Sequence, residues 1–114
     1  MVMKTRILGK IEVSEIGMGC MAFSHGYGKI PDEAYSIEAI RNAYQHGCTF
    51  FDTAEIYSPN LAGTGHNERI VGKALREVRR NTVIATKLFF SGTECKSDET
   101  TYNATRKHLE ASLK

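Results

Sequence analysis

Several absences narrow the field before any motif is read. No run of Lys and Arg is longer than Arg79-Arg80, and the net charge is only +2, which excludes nucleic acid as a partner on charge grounds. No apolar run approaches the ~18 residues of a membrane span. The opening "MVMKTRILGKIEV" has no apolar stretch of signal-peptide length. Cys20, Cys48 and Cys95 are odd in number, widely spaced and form no CxxC, the pattern of reduced thiols in a cytoplasmic protein. The "NAT" sequon at Asn103–Thr105 has no meaning without a secretory route. No two histidines stand at metal-ligand spacing, and there are no internal repeats or low-complexity segments.

What is present suits a single small soluble domain: 114 residues, 41% hydrophobic and 25% charged. "TRILGKIEV" reads as a hairpin turning at Gly9-Lys10, and "EIGMGCMAF" as a Gly-interrupted strand. A Gly-rich loop follows. Asp32 is the expected N-cap of a helix whose Ile37, Ile40 and Tyr44 recur at helical spacing, with Gly47 as its stop. "CTFFDTAEIY" is a second main strand. Asn67 is placed to cap the next helix, where Ile70, Val71, Ala74, Leu75 and Val78 form one apolar stripe. Arg79-Arg80 falls at that helix's C-terminal end. "NTVIATKLFF" is a third strand, and Ser97 or Asp98 opens a third helix with Tyr102, Leu109 and Leu113 on one side.

The order is a hairpin followed by three βα units, which implies a parallel sheet with helical crossovers. Strands are expected near 15–21, 49–54 and 83–88, with the second in the middle, and helices near 33–46, 67–79 and 98–114. The hairpin is expected to cover the strands' N-terminal end. No Gly, Asn or Pro follows Leu113, so the sequence reads as stopping inside helix three.

Gly17-x-Gly19-x-x-Ala22 formally matches a dinucleotide fingerprint. That motif requires a helix to start at once, and Gly26, Gly28 and Pro31 deny one. These glycines read instead as a strand end that a ligand or neighbour approaches closely. The more informative residues are Asp52, Tyr57 and Lys87. In a parallel α/β protein, chemistry gathers where strands end and βα loops begin. Asp52 and Tyr57 lie at that place on the second strand, Lys87 on the third. A carboxylate inside an apolar strand needs a partner, and Lys87 is the natural one. A free phenol, with a pKa near ~10, is a poor acid at neutral pH, and an ammonium beside it favours the phenolate. Tyr57 is then suited to donate a proton to a developing alkoxide. Spacing alone fits a structural Asp–Lys pair beside a packed tyrosine equally well.

"GMGCM", "GCTFFDTAEIY", "GHNERIVGKAL" and "VIATK", in this order along nearly the whole chain, resemble the aldo-keto reductase family. The resemblance implies a (β/α)8 TIM-barrel type of α/β fold, with residues 1–114 as the N-terminal part of a single barrel domain: the closing hairpin and the first three βα units. It implies hydride transfer from NADPH to an aldehyde or ketone. It assigns Asp52, Tyr57 and Lys87 to a catalytic tetrad, with Tyr57 as proton donor. It sets Met18, Gly19, Cys20 and Met21 near the nicotinamide, and Asp52 near its ribose. The family's fourth catalytic residue, a histidine on the strand after helix three, has no match here, and most adenosine phosphate contacts lie in the family's C-terminal half. The 114 residues alone are therefore expected to be inactive and to self-associate. Two other readings remain: a non-catalytic fragment associating through open sheet edges, and a Schiff-base lyase using Lys87, which requires a neutral amine.

The remaining polar residues carry smaller expectations. His25 is read as exposed, His46 as a helix cap, His66 as local structure and His108 as part of a solvated helix face. Asn67-Glu68 is read as a cap and first-turn acid, and Tyr27 as a candidate substrate contact.

Overall fold

The computed structural model describes residues 2–60, 65–90 and 94–113. Strands β1 (Thr5–Leu8) and β2 (Ile11–Ser14) pair antiparallel, with Leu8 opposite Ile11 across the expected Gly9-Lys10 turn. Strands β3 (Met18–Gly19), β4 (Phe50–Asp52) and β5 (Val83–Ala85) form a parallel sheet in the order β3-β4-β5. The middle position of β4 is the one the βα reading requires. The register sets Gly19 beside Asp52 and Asp52 beside Ala85.

The first main strand is shorter than expected. It ends at Gly19, and Met21–Phe23 form a single 3-10 turn, so the Gly-x-Gly-x-x-Ala segment opens no α-helix. The two glycines do different work. A Cβ at Gly17 would lie 3.2 Å from the Phe50 carbonyl oxygen, whereas one at Gly19 would meet nothing within 4 Å. The first allows close strand approach; the second leaves the strand end open. Beyond the regular strands, parallel pairing continues through Cys20 N to Asp52 O (2.9 Å), Thr53 N to Ala85 O (2.8 Å) and Glu55 N to Lys87 O (3.0 Å).

Helix α1 (Glu33–Gln45) starts after Asp32, but the Asp32 side chain makes no capping bond. Its carbonyl instead accepts from Ser36 N and Oγ. Gly47 ends the helix at φ 98°, and a Cβ there would lie 2.9 Å from that of Met3, so glycine is required on both counts. Helix α2 (His66–Leu75) starts one residue before the expected position, with Gly65 at φ 70° as its N-cap. Asn67 lies inside the helix and is buried. The α-helix ends at Leu75 and tightens into a 3-10 segment, Arg76–Asn81, whose Arg79 guanidinium donates to Thr82 O. Helix α3 (Asp98–Ser112) is capped by Ser97 through a reciprocal box with Thr100. It ends at Ser112 with Leu113 as its C-cap, short of the expected span; Lys114 lies outside the described residues.

The core is a wedge between the sheet and the α1–α2 pair. Phe51, Ile40, Val71, Leu75 and Cys20 are its most enclosed members. The hairpin docks at the N-terminal end of β4, as expected: Ser14 N donates to Thr49 Oγ1 and Thr49 N to Ser14 Oγ, both at 2.9 Å. Tyr102, Leu109 and Leu113 of α3, expected to pack, are exposed. The buried member of α3 is Ala104, because this helix docks largely through polar side chains on the Ala104 face.

Candidate active site

The C-terminal ends of β4 and β5 bring Asp52 and Lys87 together. Lys87 Nζ donates to Asp52 Oδ2 at 2.8 Å and Oδ1 at 3.0 Å, and to the Thr53 carbonyl at 2.7 Å. Both side chains are about half exposed, 51% for Lys87 and 47% for Asp52. A pair that open to water contributes little to stability. Its consequence is positional: three acceptors fix the ammonium, which stands 5.1 Å from the centroid of the Tyr57 ring. Burial works to lower the Lys87 pKa, but the Asp52 carboxylate, with Tyr57 acting in the same sense, outweighs it and holds the pKa above the ordinary lysine value. Lys87 is therefore an ammonium, the opposite of what a Schiff-base nucleophile needs.

Tyr57 sits on a loop that is more enclosed than most loops. Thr53, Ala54, Glu55 and Ser58 are all buried. Tyr57 N donates to Ala54 O, and Asn67 N of α2 to Tyr57 O, so the loop is bonded to itself and to the neighbouring helix.

The Met18–Met21 segment faces the same end of the sheet. Met18 and Met21 are partly buried and Gly19 is exposed. Cys20 lies beneath them with no exposed surface; its thiol donates to Met18 O. Burial first, then the nearby Asp52 and Cys48, push the Cys20 thiol up to about 12, so it stays protonated and unreactive. All three cysteines are free thiols. Tyr27 is exposed on its loop, and His25 is half-buried rather than open. His46 caps α1 as expected, through Asn42 O.

Two further expectations, for His108 and Asn67, are overturned. His108 is not on a solvated face: its side chain is 15% exposed. It bonds Glu55 through Nδ1 and Glu94 through Nε2, and lies edge-on to Phe90. Asn67 is not a cap but a buried amide. The Glu55 carboxylate also accepts from Phe89 N at 3.0 Å. Patterns in the sequence do carry these residues. Asn67 falls on the stripe of Ile70, Val71 and Ala74, and His108 lies four residues from Ala104 on the buried side of α3.

The Glu55 hydrogen bond, against some desolvation and with help from Glu94, raises the His108 pKa above its usual value. The protonated form therefore favours the folded state. That contribution is full below the unfolded histidine pKa of about 6.5 and is lost as pH rises through the higher folded-state value. Thermal melts across this range should show wild type losing stability relative to His108→Gln as pH rises. Parallel curves would remove the assignment.

Among the described residues no group of three or more His, Cys, Asp or Glu is arranged to hold a metal ion, and no helix is long and apolar enough to cross a membrane. The family model described as "Aldo/keto reductase family" matches residues 15–114. A Glycine max protein named "Probable aldo-keto reductase 1" is 43% identical over 77 residues, which are 67% of this chain and 21% of that protein. An aldo-keto reductase from Bacillus halodurans, solved in its holo form, superposes with a TM-score of 0.66 at 29% identity, over 97% of this chain and 37% of that one. The thermostable aldo-keto reductase Tm1743, solved with the inhibitor epalrestat, gives 0.71 at 28% identity, over 97% of this chain and 38% of that one. The chain thus spans about a fifth of the curated relative and under two fifths of these solved chains.

Proposed function

This chain belongs to the aldo/keto reductase family, and we propose that the protein it represents is an NADPH-dependent reductase of aldehydes or ketones, with Tyr57 as its proton donor. The observation that carries the reading is the Lys87 ammonium, bonded to Asp52 and standing over the Tyr57 ring. A carbonyl oxygen beside Tyr57 gains negative charge as it is reduced. The phenol supplies a proton to that oxygen, and the ammonium stabilises the phenolate left behind. Asp52 keeps Lys87 charged and in place.

NADPH, when bound, supplies the hydride. The residues fit its nicotinamide end. Gly19 leaves open space where a Cβ would point, so Met18–Met21, supported by the buried Cys20, would hold the nicotinamide. The half-exposed Asp52 carboxylate is an acceptor suited to a ribose hydroxyl. Closure of the three strands into a barrel with further βα units, and a cytoplasmic setting, belong to the same proposal. The fragment reading is less favoured because Asp52, Lys87 and Tyr57 lie together, and the lyase reading because Lys87 is charged.

The direct test is to express the protein as its gene encodes it, titrate it with NADPH, and follow cofactor oxidation with a reactive aldehyde. Saturable binding and steady turnover are expected. Absence of both would overturn the reading.

A further inference from the structure

Asn67 is fully buried on the first turn of α2. A buried amide is costly unless its donors and acceptor are all matched. Here they are. Asn67 Nδ2 donates to Cys20 O and to Ser24 Oγ, both at 2.8 Å, and Thr53 Oγ1 donates to Asn67 Oδ1 at 2.6 Å. The orientation is fixed by chemistry, because the Cys20 carbonyl can only accept and so must face the NH2 group. Ser24 Oγ, which accepts from Asn67, also lies within hydrogen-bond distance of His66 Nδ1, at 2.8 Å.

This one amide holds two pieces of the site. Cys20 belongs to the segment under the open strand end. Thr53 follows Asp52, and its carbonyl is one of the three acceptors of the Lys87 ammonium. The Thr53 side chain has its hydrogen bond on Asn67 while its backbone meets both Ala85 and Lys87. Release of the side chain frees one of the anchors that aim the carbonyl at Lys87. We propose that Asn67 is a positioning residue: through Thr53 it sets the Lys87 ammonium, and through Cys20 it ties that group to the Met18–Met21 backbone. Its catalytic meaning rests on the reductase reading above, but the positioning can be measured without turnover.

The experiment is competitive acetylation at pH 8, quantified lysine by lysine, on the protein as its gene encodes it. Lys10 and Lys107, both exposed, are references. Lys73, whose ammonium pairs with Glu33 on α1, reports loss of the fold. Asn67→Ala and Thr53→Val are each expected to raise Lys87 labelling roughly three- to tenfold, the weight of one hydrogen bond, with Lys73 unchanged. Thr53→Ser, which keeps the hydroxyl, should stay within roughly twofold of wild type on the same scale. Lys87 labelling at the wild-type level in both disrupted variants, or rising only in step with Lys73, overturns the proposal. The unsubstituted protein gives a second reading by NMR: the Asn67 side-chain amide protons should exchange slowly, and fast exchange there would equally overturn it. If Lys87 responds as expected while no carbonyl is reduced, the reductase reading falls and the positioning role stands.

Discussion

Tyr57→Phe is expected to bind NADPH as wild type does and to reduce carbonyls roughly 10²-fold more slowly or worse, the usual contribution of a positioned general acid. The substitution keeps the ring that Lys87 faces at 5.1 Å and removes only the hydroxyl. The loop should hold, because its anchors are main-chain bonds from Tyr57 N to Ala54 O and from Asn67 N to Tyr57 O. The loss should therefore fall on kcat, with cofactor affinity retained. Lys87→Met is expected to slow reduction too, and to shift the acidic limb of the pH–rate profile, because it removes the charge that supports the phenolate. Steady-state kinetics with a fluorescence titration of NADPH separate the two effects. Near-wild-type turnover in Tyr57→Phe would take the acid role away from this residue and leave the Asp52–Lys87 pair as structural.

Much of this arrangement is legible in the sequence, for local reasons. The βα order fixes β4 in the middle of the sheet, and strand ends place Asp52 and Lys87 side by side. Helix boundaries follow Gly47 and Ser97, whose backbone and capping demands are short-range. The less legible part depends on long-range contact. Asn67 bonds Cys20 O across 47 positions and Ser24 across 43, and His108 reaches Glu55 across 53. A capping residue and a buried amide share one composition, so the N-terminal Asn of α2 is ambiguous until the opposing carbonyl is known. The apolar stripe of α3 is misleading for a related reason. A helix buries the face that its neighbours can satisfy, and here they offer the carboxylates of Glu55 and Glu68, which take His108 and Ser112.

Phe51→Ala is expected to be the most damaging core change, costing about 3–5 kcal/mol. Phe51 has no exposed surface and sits at the centre of the central strand, opposite Met18 on one side and Ile84 on the other. It packs in one cluster with Ile40, Val71 and Leu75 of the two helices. Truncation removes most of an aromatic side chain where the sheet meets both helices, and neighbours anchored on three elements cannot all collapse into the space. Against a typical total of about 5–15 kcal/mol, the loss is a large share. Tyr35→Ala supplies the comparison, because Tyr35 is exposed on α1 and surface changes usually stay within about 0.5 kcal/mol. Urea unfolding of both variants, with equal m-values, gives the difference directly. The effect reaches function as well, since Asp52 follows Phe51 in the strand and depends on its packing to keep the carboxylate under Lys87. A midpoint for Phe51→Ala no lower than that for Tyr35→Ala would mean that this residue does not anchor the site to the core.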